Sequence, residues 1–161
     1  LYQALDHGRI QTEALQQIWV KTLLADLPAA EPLWISVNAT SIARPDAHTS
    51  QARGIIHVSN LPRAAKPISV GWQFSTMMLL PEAASSWVGI LDQQRIPTAQ
   101  TAIEVAIAQL QALIPLLQRP AILLADRWYA TSAFLRACQH LGIQVLIRLK
   151  SNRRLYRRSG N

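Results

Sequence analysis

From Thr101 onward the chain alternates twice between a helical pattern and a short, wholly apolar run, and this alternation restricts its fold more than any other feature. TAIEVAIAQLQALIPLL sets Ile103, Ile107, Leu110, Ile114 and Leu117 at helical spacing, with Thr101 and Glu104 as a capping-box pair at its start. Pro115 should bend or end that helix. AILLA, bounded by Pro120 and Asp126, is too short for a helix and reads as a fully buried strand. A second helix runs through Phe134, Leu135, Cys138 and Leu141 to a stop at Gly142, and IQVLIRL follows as another strand. Strand, helix and strand in this order demand a right-handed crossover between parallel neighbours, so helices must cover the sheet.

Upstream the pattern is one of strands. LWISV, from Leu33, is apolar, β-branched and only five residues long; GIIHVSN and ISVGWQFSTMMLL follow through polar and Pro-punctuated connections. In the last run Val70, Trp72, Phe74, Thr76, Met78 and Leu80 share one face by the two-residue period. Connections without helical pattern favour antiparallel pairing of these three strands as a meander. The segment from Trp87 to Pro97 reads as a loop. Before the first strand, TEALQQIWVKTLLA offers a Thr12 cap and a stripe of Leu15, Ile18, Trp19 and Leu23. The expectation is an α/β fold with a mixed sheet: three antiparallel strands, then helix, strand, helix, strand, with helices packed on the sheet faces. Ribonuclease H-like domains have this order, which other α/β folds can share. The division expected is an N-terminal helical segment over 1–30 and the sheet domain over 31–161.

Half of the 161 residues are apolar, enough for one domain with a sizeable core. No apolar run approaches the roughly 18 residues needed to span a bilayer, and the reading is of a soluble chain without membrane contact. A lone Cys138 excludes an internal disulfide and fits a reducing cytoplasm. The chain opens at Leu1 without a charged and apolar leader, and the expectation is a fragment of something longer. Sixteen Lys and Arg against nine Asp and Glu give +7. Arg148, Lys150, Arg153, Arg154, Arg157 and Arg158 crowd the C-terminal end, where they would neutralise phosphates of a polyanion or form a solvated basic edge.

Ligands of open α/β sheets gather at the carboxyl ends of neighbouring strands, and Asn38 and Asp126 each directly follow an apolar strand. Asp126 is suited to ligate a hard dication such as Mg²⁺, or to serve as a helix N-cap. Asp46 and Asp92 read as turn residues. His7, His48, His57 and His140 lack metal-ligand spacing, and His57 reads as a packed or edge histidine. Neither Ser41, Ser85, Ser86 nor Cys138 sits in a nucleophile motif, and the isolated glycines form no phosphate loop, so no nucleotide cofactor is expected. Trp19, Trp34 and Trp72 fall on apolar periodic faces and read as core, whereas Trp87 and Trp128 lie in loops where bases could stack on them. Arg127 reads as a phosphate contact at a site rim or a surface ion pair.

ISVNATSIARP, HVSNLPRAAKPISVGWQFSTMMLLPE, SSWVGILDQQRIPT and LLADRWYATSAFL, between about Trp34 and Tyr156, resemble the nuclease domain of DDE-type transposases of bacterial insertion sequences. The resemblance implies a ribonuclease H-like fold on which three acidic residues bind Mg²⁺ or Mn²⁺, nick DNA and join it to a target. Asp126 matches the second acid. Asn38 stands at the place of the first, where an amide presents an oxygen without a charge. The third acid belongs to a helix beyond the last strand, and the end of this sequence offers no candidate for it. The resemblance therefore implies transposition and recombination of DNA by intact relatives, and here a truncated, impaired domain or a noncatalytic DNA-binding remnant. Decay, domestication and deliberate substitution all remain open as origins of Asn38, and self-association of the chain is likewise open.

Overall fold

The computed structural model describes residues 8, 10–25, 27–28, 32–58, 67–81 and 87–154. Its elements are α1 (Thr12–Ala25), β1 (Leu33–Ala43), β2 (Gly54–His57), β3 (Ile68–Leu79), β4 (Gly89–Ile96), α2 (Ala102–Leu117), β5 (Ala121–Ala125), α3 (Ser132–His140) and β6 (Gln144–Ile147). The strands make one mixed sheet in the order β2-β3-β1-β5-β6, with β4 also paired to β3. β1 runs antiparallel to β3 and parallel to β5, and β6 continues the parallel half. This is the ribonuclease H-like mixed sheet expected from the sequence.

Two details of the antiparallel half differ from expectation. The second strand lies beside β3 and not between its neighbours in sequence, so β3 occupies the centre of the antiparallel half. β2 has four residues, too few to back β1, whereas β3 matches it in register from Ile35↔Leu79 to Ala43↔Gly71. The connection from β1 is folded by Arg53, whose Nη1 donates to the carbonyls of Arg44 at 2.8 Å and Pro45 at 2.9 Å. The segment read as a loop contains β4, which runs end to end with β2 along one edge of β3. A bulge explains why it escaped notice: Met77 opposes Asp92 and Met78 opposes Ile90, leaving Leu91 as the extra residue and breaking the two-residue period.

The helices supply the cover that parallel strands require. Leu33, Ile35 and Val37 of β1, Met77 and Leu79 of β3 and Leu123 of β5 meet Leu110 and Leu113 of α2, Phe134 and Cys138 of α3 and Val20 of α1 in one buried cluster. Each such aliphatic or aromatic side chain contributes roughly 1.5–3 kcal/mol on burial. Among the described residues all three helices pack into this one cluster. The opposite face carries Trp34, Ile122 and Leu124 half-buried, with Ile90 and Leu146 exposed.

This arrangement gives the two faces of β3 their directions. Val70, Trp72, Phe74 and Met78 lie on the more open side, and Ser75, Met77 and Leu79 face the helices. Ser75 is completely buried: its carbonyl accepts from Gln109 Nε2 at 3.2 Å, while its hydroxyl closes no hydrogen bond. On α1 the packed side runs through Val20, Leu23 and Leu24, with Leu27 just beyond the helix, while Leu15, Ile18 and Trp19 are exposed. None of the three tryptophans assigned to the core is buried: Trp19 donates to the Ile90 carbonyl at 2.6 Å and Trp72 to that of Gln51 at 3.3 Å. Indole N–H groups at the rim of a core find carbonyls more easily than in its interior.

Local signals at the helix ends were legible. Thr101 and Glu104 close the expected capping box, and α2 runs two residues past Pro115 before Gln118 turns left-handed at φ 53°. Gly142, at φ 68°, ends α3 as expected, with its N–H on the Gln139 carbonyl and that of Ile143 on Cys138, a Schellman pattern. Gly71 is dictated by proximity instead: a Cβ there would stand 2.1 Å from the Ile42 carbonyl oxygen.

Candidate functional site

β1 and β5 are in parallel register up to Val37↔Ala125, so Asn38, which lies within β1 and not after it as its sequence suggested because pairing with β3 carries the strand on to Ala43, stands beside Asp126, the residue after β5. Buried residues alternate along β1 up to Val37, and beyond it every side chain is at least partly exposed. Helical cover therefore ends where the two candidate residues begin. There an open cleft of about 970 Å³ is bounded by Asn38 to Ser41, His57, Gln73, the first turn of α2, and Asp126 to Tyr129. At the start of α2, Thr101 Oγ1 accepts from the Glu104 N–H and Glu104 Oε2 from the Thr101 N–H. The Thr101 backbone N–H and then its hydroxyl, both donating to Glu104 Oε2, hold the Glu104 carboxyl below the ordinary carboxylate range.

Asp126 is exposed but fixed in direction. Its Oδ1 accepts from the Trp128 backbone N–H at 2.9 Å, and its carbonyl from that of Tyr129 at 3.2 Å, winding 126–129 into a tight turn. Thr131, rather than Asp126, caps α3 through its side chain. Tyr129 anchors the turn: it is 3% exposed, and its ring lies 5.1 Å from that of Phe134. Burial, then the negative charge of Asp126, pushes its phenol up to about 12 against a smaller opposing effect of Ser75. The two hydroxyls face each other, yet neither closes a hydrogen bond of good geometry. Sequence reading missed Tyr129 because an aromatic beside an acid carries no sign of which way it points.

Asp92, expected in a turn, is on β4 beneath α2. Its Oδ2 accepts from Gln109 Nε2 and from Gln94 Nε2, both at 2.9 Å. The bulge turns it toward the helices, and it does not line the cleft. Asp46 does serve a turn, its carbonyl accepting from the His48 N–H at 2.9 Å. His57 is exposed on the edge strand β2 and borders the cleft opposite Asp126, with Gln73 and Ser41 joined nearby by a 3.2 Å hydrogen bond.

The basic residues gather at the same turn. Lys150 Nζ stands 4.3 Å from the Trp128 ring centroid, and the Arg127 guanidinium carbon 5.9 Å from it. Arg153 Nη2 donates to the Ala130 carbonyl at 2.5 Å, tying the segment after β6 to the Asp126 turn. Arg148 and Arg154 are exposed on that segment, and Arg157 and Arg158 lie outside the described residues.

The donor set was tested against a divalent cation. Asp126 and Asn38 supply one carboxylate, with one oxygen already accepting a hydrogen bond, and one neutral amide. Among the described residues no three His, Cys, Asp or Glu side chains come together as ligands. Hard dications in phosphoryl-transfer sites need more anionic oxygen than this, so the residues present do not fit a two-metal centre.

Residues 1–160 match the model of a protein family described as DDE superfamily endonuclease. No curated protein matches the sequence. Among solved structures, the chain is similar to one in the piggyBac transposase synaptic complex with hairpin DNA, at 12% identity and a TM-score of 0.44, over 77% of this chain and 24% of that one. It is also similar to a chain of the simian T-cell lymphotropic virus intasome in complex with PP2A regulatory subunit B56 gamma, at 17% identity and a TM-score of 0.40, over 94% and 47% respectively. The chain spans less than half the length of either structure.

Proposed function

The chain belongs to the DDE superfamily endonuclease family, and on that premise we propose that it is a transposase-type domain that binds DNA along its basic edge and presents the DNA to the Asp126 cleft. The observation carrying this reading is the tie between Arg153 and Ala130, which joins the cationic segment to the turn that orients Asp126. Arg127, Arg148, Lys150, Arg153 and Arg154 hold phosphates, with Arg157 and Arg158 extending the same sequence run. Asp126 is the acid of the site and Asn38 stands where intact members of insertion-sequence type carry another. Such nucleases use divalent metal ions, Mg²⁺ or Mn²⁺, to cut DNA. Here one carboxylate and an amide leave the site impaired, and the chain binds DNA without cutting it unaided. The finer assignment, a bacterial insertion sequence, rests on the motifs quoted above. A noncatalytic DNA-binding remnant is the second reading, favoured by the neutral Asn38.

Fluorescence anisotropy with a duplex of arbitrary sequence, between about 50 and 200 mM salt, tests the binding. A plot of log affinity against log salt should slope steeply downward, and Arg148→Ala or Arg154→Ala should each flatten it by about one unit. A salt-insensitive or undetectable interaction refutes the DNA reading. Cleavage of DNA by the 161-residue chain in Mg²⁺ would refute the impairment.

A further inference from the structure

Trp128 is 63% exposed, directly follows Arg127 and borders the same cleft as Asp126. An indole left in water forgoes a large apolar contribution, which is explained when the ring has an occupant. The ring is also held unusually well for an exposed side chain. Its backbone N–H is fixed on Asp126 Oδ1 at 2.9 Å, the next residue, Tyr129, is rooted in the core, and Lys150 Nζ sits 4.3 Å from the ring centroid. Cation and ring attract each other through the π quadrupole, so Lys150 limits the indole's orientation while carrying a charge suited to a phosphate.

We infer that Trp128 is a stacking platform for one unpaired nucleobase of a DNA strand, seated beside Asp126 with Lys150 and Arg127 on the adjoining phosphates. The inference rests on the reading that the cleft receives DNA, and adds that the DNA is locally unpaired there. Bases in an intact duplex cover each other's faces, so only a frayed, overhanging or flipped base can lie flat on an indole. Exposed tryptophans also anchor protein partners. Two cations at the ring and a shared wall with Asp126 favour a nucleic acid over such a partner.

The test compares three oligonucleotides of matched length and charge: a blunt duplex, a duplex with a short single-stranded overhang, and the same overhang with abasic sugars. The abasic strand keeps every phosphate and removes only the stacking face. The wild-type chain should prefer the natural overhang over both others by about tenfold per stacked base. Trp128→Ala should erase that preference while leaving blunt-duplex affinity within about twofold, and Trp128→Phe should retain part of it. Equal melting temperatures would show that the variants fold. A preference that survives abasic substitution, or a Trp128→Ala loss that is equal on all three oligonucleotides, overturns the stacking assignment and leaves DNA binding intact. Absence of binding to any of them overturns both.

Discussion

Replacing Asn38 by Asp probes the candidate site directly, because its outcome has opposite signs with and without a divalent cation. The parallel register through Val37↔Ala125 sets residues 38 and 126 side by side, about 5 Å apart at the backbone. Two carboxylates at these exposed positions, roughly 6 Å apart, repel by about 0.7 kcal/mol in water and nearly 3 kcal/mol at an effective dielectric of about 20. Both positions are exposed, so about 1 kcal/mol is the expected destabilisation of Asn38→Asp in EDTA, a fall of about 2–4 °C in melting temperature. A second carboxylate also makes the pair a better ligand. If the variant binds Mg²⁺ at about 1 mM, then about 10 mM of the ion stabilises it by about 1.4 kcal/mol and restores the lost degrees. Thermal scans of parent and variant, with and without Mg²⁺ at constant ionic strength, decide the matter. A variant as stable as the parent in EDTA shows that residues 38 and 126 do not face each other, and equal Mg²⁺ responses show that Asn38 does not disable a cation site.

Three further expectations follow from the same geometry. Tyr129 and Cys138 are pushed up to about 12 and about 11, chiefly by burial, so folding favours their protonated forms. Their contribution is complete below about pH 8 and is lost as pH rises through 11 to 12; Tyr129→Phe should therefore flatten the fall in unfolding free energy from urea titrations above pH 10 by about 2–3 kcal/mol, and an unchanged slope would contradict the burial argument. Gly71→Ala forces a methyl against the Ile42 carbonyl and should cost about 1–3 kcal/mol or more by denaturant titration, whereas an unaffected midpoint would mean that β1 and β3 separate easily. Gln109→Leu removes the donor to the buried Ser75 carbonyl and to Asp92, a loss of about 1–2 kcal/mol after relief of its unpartnered Oε1; a stabilised variant would show that the bonds contribute nothing net.

The parallel half was legible because each of its signals is local. AILLA is apolar throughout, Thr101 and Glu104 cap one helix, and Gly142 ends the other. The antiparallel half was read less well because its pairing depends on partners distant in sequence. Apolar residues on both faces of β3 left its period with no direction, and the choice fell to α2, which buries Ser75 and Met77. β4 was hidden by its bulge and by the polar run from Asp92 to Arg95, which meets water on one side and Gln109 on the other. Asn38, Asp126 and Arg127 border one cleft, although Asn38 lies within β1 and not at its end, while Tyr129 required the turn geometry to be seen. The basic cluster was visible as composition, but its attachment at Ala130 is a tertiary fact.

The central position of β3 also bears on the order in which the molecule assembles. Its partners β1, β2 and β4 are all supplied before α2 begins, whereas β1 meets β5 only after α2, in a parallel register that starts by pairing Leu33 with Ala121. Short loops close at lower entropic cost than long ones, and non-local parallel pairing is slow, so the antiparallel half should form first. Pulse-labelled hydrogen exchange should then protect β3 amides before those of β5, and simultaneous or reversed protection would refute this order. The juxtaposition of Asn38 and Asp126 is thus a late event of folding: a chain arrested halfway would hold most of its antiparallel hydrogen bonds and none of its cleft.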